Sequence, residues 1–319
     1  MEGMEFMAKE LSTQAKWKPW KGVLLFVIAF AWLFVGSIGS FFMSGSIATL
    51  IIQIGFLGIA ISACLINKTP LKEVFPIKKI TVRDFFGMLF MWLGALPLGL
   101  LSAAVVGKFM PQSMEQVQET LTEATTGIVA VGFIATVFCP PICEEAIMRG
   151  AVLSHFRGIK KDWVIVLIIA VMFGILHTDS VRFINTALMG GCLAYFVVKR
   201  NNILLAAIYH FINNFLSMGM STIAQYSAQQ SGQAYTSAEI TSATISAIPT
   251  FMLISTLCPL FLVLGVHLIK RQSEISEGKE KTGMKLGAKI GISVIPCVFL
   301  LVGGIVLLVS EMQKMGLTA

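Results

Sequence analysis

Nine long apolar runs constrain the folding of this chain more than any other feature. They lie at about 22–42, 46–66, 85–107, 127–147, 163–177, 183–198, 202–218, 246–269 and 288–310 of 319 residues. Roughly 20 apolar residues at 1.5 Å rise cross the ~30 Å hydrocarbon core as a helix. In lipid each segment must satisfy its own backbone, so continuous runs predict helices, whereas the strands of a closed barrel would alternate. The fold class that follows is all-α: a polytopic helical membrane protein with about nine transmembrane helices, or eight. The residue content agrees, with 56% apolar and 13% charged residues against roughly 25% charged in soluble domains. A cytosolic enzyme, a disordered chain and a disulfide-rich secreted scaffold are excluded.

The net charge of +7 follows from topology, because Lys and Arg collect in cytoplasmic loops. With the amino terminus cytoplasmic and the runs alternating, twenty of the 24 basic residues fall inside and only Lys108, Arg182 and Lys314 outside. Arg149 is the remaining one. The expected partners are therefore membrane lipid and no nucleic acid. The basic stretch Met1–Lys21 precedes a run too long for a typical signal-peptide core, which predicts an uncleaved anchor. All six cysteines sit inside apolar runs, so buried thiols are expected rather than a disulfide framework. Cys139 and Cys143 have a spacing a metal can use but lack a second soft pair.

Three regions follow: N-terminal helices and connectors over 1–126, a central region over 127–218, and an outer loop with two further helices over 219–319. Between runs, 108–126 carries Glu115, Glu119 and Glu123 at helical spacing, and 219–245 is rich in Ser, Thr, Gln and Ala. Within the runs, ionisable residues cost at least about 2.5–3.5 kcal/mol each, so each requires a reason. They are Glu144, Glu145, Arg149, His177, His210 and His267. His267 lies near Lys270 and Arg271 and reads as interfacial; the other five lie between 144 and 210.

Pro140-Pro141 would interrupt the incoming helix, after which CEEAIMRGAVLSHF continues to a turn at 158–162. Glu144 lies about 16 residues before Lys160-Lys161 and His177 about 16 after, so both reach a depth of ~24 Å in an antiparallel pair. His210 and Asn214, four apart, share one helical face. Glu145 and Arg149, also four apart with the acid first, form a favourable helical ion pair. Glu144 points about 100° away and is left as the reactive group. A carboxylate enclosed by apolar surroundings is a better base than one in water, which suits activation of a water molecule.

EEAIMRG (Glu144 to Gly150) fits EExxxR, FGILH (Phe173 to His177) fits FxxxH, and HFINN (His210 to Asn214) fits HxxxN. In this order, on separate apolar segments, the motifs resemble the type II CAAX prenyl endoprotease family within the CAAX-protease and bacteriocin-processing (CPBP, Abi) group. The resemblance covers about 127–218. It implies an intramembrane endopeptidase of a bacterial cytoplasmic membrane acting on hydrophobic or lipidated peptides. It makes Glu144 the base that activates water, His177 its partner in holding that water, and His210 with Asn214 the oxyanion donors. Glu145, Arg149 and Phe173 become structural support.

No cofactor is expected on this reading. A variant of it places zinc on Glu144, His177 and His210, since two His and one Glu can bind zinc with a position left open. The competing readings are a non-catalytic scaffold or bacteriocin-immunity protein of the same fold, and a small-solute transporter. Gly190-Gly191 is expected to permit close helix packing, and Asp179 with Arg182 an interfacial pair.

Overall fold

The structure is a computed structural model that describes residues 17–125, 129–231, 236–278, 280 and 283–315. Lys9 and Lys16 of the basic amino-terminal stretch lie outside the described residues. Among the described residues, eight helices are long and apolar enough to cross a membrane. In chain order they are α1 (Pro19–Phe41), α2 (Gly45–Ile66), α3 (Val82–Phe109) and α4 (Ala130–Val152). After a shorter helix, α5 (Asp162–Leu176), come α6 (Ser180–Arg200), α7 (Ile203–Ser231), α8 (Ile248–Ser276) and α9 (Leu286–Lys314). Within the described residues each of the nine apolar runs therefore forms helix, but α5 has 15 residues, about 22 Å of rise. It falls short of the hydrocarbon thickness, and the number of candidate spans is eight.

Both connectors contain helix as well. Pro111–Thr125 is helical, and Ser237–Ser246 opens with a capping box in which Thr236 and Glu239 satisfy each other's backbone N–H groups.

The chain divides into two compact units. The first comprises Met1–Lys79, Leu121–Leu176 and Gly190–Ser227. Its first two helices pack closely because glycines face bulky side chains. A Cβ on Gly36 would lie 2.2 Å from Ile52, and one on Gly55 would lie 1.9 Å from the Trp32 ring nitrogen. That nitrogen donates to the Ile52 carbonyl at 3.1 Å. α2 also packs on α4. Before α7, Asn202 exchanges two hydrogen bonds with the Lys78 backbone, so the 75–80 segment is tied to the start of the helix that carries His210.

The course of α4 departs from a regular helix. Residues Ile134–Phe138 form a π-helical stretch, Cys139–Glu145 an α-helix, and Ala146–Val152 a second π stretch. Pro140-Pro141 occupies the first turn of the α-helical part, and the two missing N–H groups leave carbonyls of the preceding stretch without a helical donor. Single-turn π bulges of this kind favour functional sites. Here they bracket Glu144 and Glu145.

The second unit comprises Ile80–Thr120, His177–Met189 and Ala228–Ala319. Thr81 and Asp84 form the capping box that starts α3. α3 and α8 meet backbone to backbone: a Cβ on Gly94 would lie 2.8 Å from the Cys258 carbonyl, and one on Gly265 2.7 Å from that of Gly87. Small residues permit this approach where lipid supplies no hydrophobic drive. At the start of α6, Asp179 and Arg182 form the expected ion pair at 3.0 Å, and Asp179 also accepts from the Val181 and Arg182 N–H groups.

Candidate active site

The first unit gathers most of the polar residues singled out from the sequence. Glu144 and Glu145 are consecutive on α4, so their side chains diverge by about 100° into different surroundings. Glu145 is 1% exposed, and its Oε1 accepts from Arg149 Nη1 at 3.0 Å and from His210 Nδ1 at 2.9 Å. Arg149 is fully buried and donates through Nη2 to the Gly190 carbonyl at 3.2 Å. Its guanidinium carbon lies 4.0 Å from the centre of the Phe173 ring, a cation–π contact. The same ring meets His210 in an edge arrangement at 6.0 Å. The expected Glu145–Arg149 pair is therefore present, and Phe173 supports both its cation and the histidine.

The Gly190-Gly191 expectation resolves into one residue. A Cβ on Gly190 would lie 2.9 Å from the Phe173 Cβ, whereas one on Gly191 would make ordinary contact at 3.5 Å. Gly190 thus lets α6 approach α5 and offers its carbonyl to Arg149.

Glu144 is 9% exposed and stands outside that network. Its Oε1 accepts from Gln53 Nε2 on α2 at 2.7 Å. Its Oε2 has no hydrogen-bond partner among the described protein atoms and lies 3.9 Å from His210 Nε2. A carboxylate can only accept, so the bond to Glu145 places the hydrogen on His210 Nδ1 and turns Nε2 toward Glu144. The imidazole thereby joins the structural acid to the free one.

Asn214 lies one turn beyond His210 on α7, and its Nδ2 donates to the Thr136 carbonyl at 2.9 Å. This contact follows from the two prolines. The Thr136 carbonyl would be met by the N–H of residue 140 in an α-helix and of residue 141 in a π-helix, and both are proline. The Asn214 amide supplies the donor that the chain lacks, and its second N–H remains free of the Thr136 carbonyl.

His177 follows Leu176 as the first turn residue after α5, is half-buried, and belongs to the second unit. Its role and the depth match with Glu144 remain expectations of the sequence. For a metal on Glu144 and His210, hydrogen bonds already engage Glu144 Oε1 and His210 Nδ1. Each residue would have one atom to offer, Oε2 and Nε2. Among the described residues no three His, Cys, Asp or Glu side chains are grouped as ligands.

Sequence reasoning missed Gln53. It is 4% exposed and 91 residues from the acid it contacts. The available signal was a lone amide in the 22-residue helix α2.

The chain has no match among curated proteins or solved structures. Residues 126–216, which carry all three motifs, match the family described as type II CAAX prenyl endopeptidase Rce1-like.

Proposed function

We propose that this protein is an intramembrane endopeptidase that hydrolyses hydrophobic or lipidated peptides with water activated by Glu144. The Rce1-like match supports the reaction class. The observation that carries the assignment is the unlike treatment of two adjacent acids. Glu145 accepts from a buried guanidinium and an imidazole, whereas Glu144 keeps one oxygen without a partner among the described protein atoms beside His210.

On this reading Glu144 Oε2 takes a proton from water as the water oxygen attacks the scissile carbonyl carbon. The carbonyl oxygen gains the negative charge, which the second Asn214 N–H and His210 stabilise. Collapse breaks the C–N bond, and the proton on Glu144 passes to the departing amine. The products are a new carboxylate and a new amino terminus. Donors fixed at a developing oxyanion contribute about 2.7–4 kcal/mol.

The test compares membrane-associated peptide termini in cells expressing wild-type protein or Glu144→Gln at matched levels. New termini present only with wild type are expected, and their sequences define the substrate class. Equal termini from two folded proteins would overturn the assignment in favour of a non-catalytic scaffold or immunity role.

A further inference from the structure

We infer that Gln53 is a positioning residue that fixes Glu144 and reserves Glu144 Oε2 for the proton transfer. The inference rests on the role of Glu144 proposed above. Gln53 lies on α2, outside the segment that matches the endopeptidase family, so the motifs do not include it.

Three observations carry it. Gln53 Nε2 donates to Glu144 Oε1 at 2.7 Å with both side chains buried. A donor to a charged acceptor is a strong bond, and its loss in a dry site leaves that oxygen unpaired. The bond also orients the amide, because the opposite flip would set Gln53 Oε1 against a carboxylate oxygen. Finally, Gln53 Oε1 and Glu144 Oε2 are both buried without a hydrogen-bond partner among the described protein atoms, and Glu144 Oε2 is the oxygen 3.9 Å from His210 Nε2. Gln53 therefore decides which carboxylate oxygen is occupied and which is left without a donor among the described protein atoms. Small displacements of a reacting group cost about a hundredfold in rate, so a rotamer fixed from a neighbouring helix has a kinetic consequence.

Apart from Gln53, the polar side chains of α2 are the small hydroxyls of Ser46, Thr49 and Ser62, and the helix already packs on α1 and α4. A packing role alone would be served as well by methionine, which matches glutamine in length and lack of branching. A donor role would be served by histidine, whose Nε2 is the same number of bonds from Cα as that of glutamine.

The experiment follows the rate at which wild-type-specific termini appear in membranes of cells expressing wild type, Gln53→Met, Gln53→His or Glu144→Gln, with each protein's level and thermal stability measured. The expected result is a loss of tenfold or more in Gln53→Met, a partial return in Gln53→His, and none from Glu144→Gln. Gln53→Met equal to wild type, or more active than Gln53→His, overturns the positioning role alone if Glu144→Gln is inactive. Termini that persist in Glu144→Gln, or never form in wild type, overturn the reading of Glu144 and this inference with it.

Discussion

The Asn214 side chain donates to the Thr136 carbonyl at 2.9 Å, and Pro140 and Pro141 are the reason that carbonyl is free to accept. One amide therefore links α7 to the break in α4, one turn above the two glutamates. Asn214→Ala removes an oxyanion donor and also orphans a backbone carbonyl. Turnover is expected to fall by a hundredfold or more, and stability by about 1–3 kcal/mol. The two effects separate when Pro140 and Pro141 are both replaced by alanine in the same variant. The restored N–H groups recover stability in thermal unfolding, while release of new termini stays low. A variant that regains both together would contradict the oxyanion role.

The two glutamates predict opposite patterns. Glu144→Gln keeps an oxygen for Gln53 and is nearly isosteric, so it is expected to abolish turnover with little change in stability. Arg149→Leu leaves Glu145 buried beside His210 without its cation and breaks the bond to the Gly190 carbonyl. Removing one member of a buried pair costs about 3–5 kcal/mol, so the expected result is a marked loss of thermal stability and of folded yield. The comparison is read from unfolding curves of the purified variants in one detergent.

Local spacing made the Glu145–Arg149 pair legible, since an acid four residues before a base on a helix leaves little choice of partner. The apolar runs gave the helices for a similar reason: lipid removes every alternative to internal backbone bonding. What escaped the sequence depends on contacts between distant segments. Gln53 meets Glu144 across 91 residues, and no periodicity within α2 marks which of its faces is turned toward α4. The π stretches likewise depend on how α4 fits its neighbours as much as on Pro140-Pro141. The run at 163–177 and helix α5 have the same length of 15 residues, so the shortfall that leaves eight candidate spans was already legible in the sequence.

Gly190 and Gly191 can be told apart by adding one methyl group. Alanine at 190 would place a Cβ 2.9 Å from the Phe173 Cβ and 3.0 Å from a ring carbon, pushing the ring that lies against Arg149 and His210. Overpacking of this kind costs about 1–3 kcal/mol. Gly190→Ala is expected to lower both stability and turnover, whereas Gly191→Ala, at 3.5 Å from Ala170, is expected to leave both near wild type. Parallel melting curves and terminal release for the two variants check the contrast, and equal behaviour would count against close packing at Gly190.

His155 supplies the pH dependence. It lies just beyond the end of α4, 2% exposed, with its ring edge-on to Trp17 at 4.4 Å and Nδ1 without a hydrogen-bond partner among the described atoms. Burial, helped by the nearby Lys21 charge and opposed by a hydrogen bond with the Lys18 backbone, lowers its pKa from 6.5 to about 4. The unfolded chain therefore binds a proton between those values while the folded chain does not. Stability is complete above about pH 6.5 and is lost as pH falls toward 4, by up to about 3 kcal/mol from this group. His155→Phe keeps an aromatic ring against Trp17 and removes the titration. Thermal unfolding from pH 7 to pH 4.5 should show a steeper fall for wild type than for His155→Phe. Parallel curves would mean that His155 is already solvated, or charged, in the folded protein.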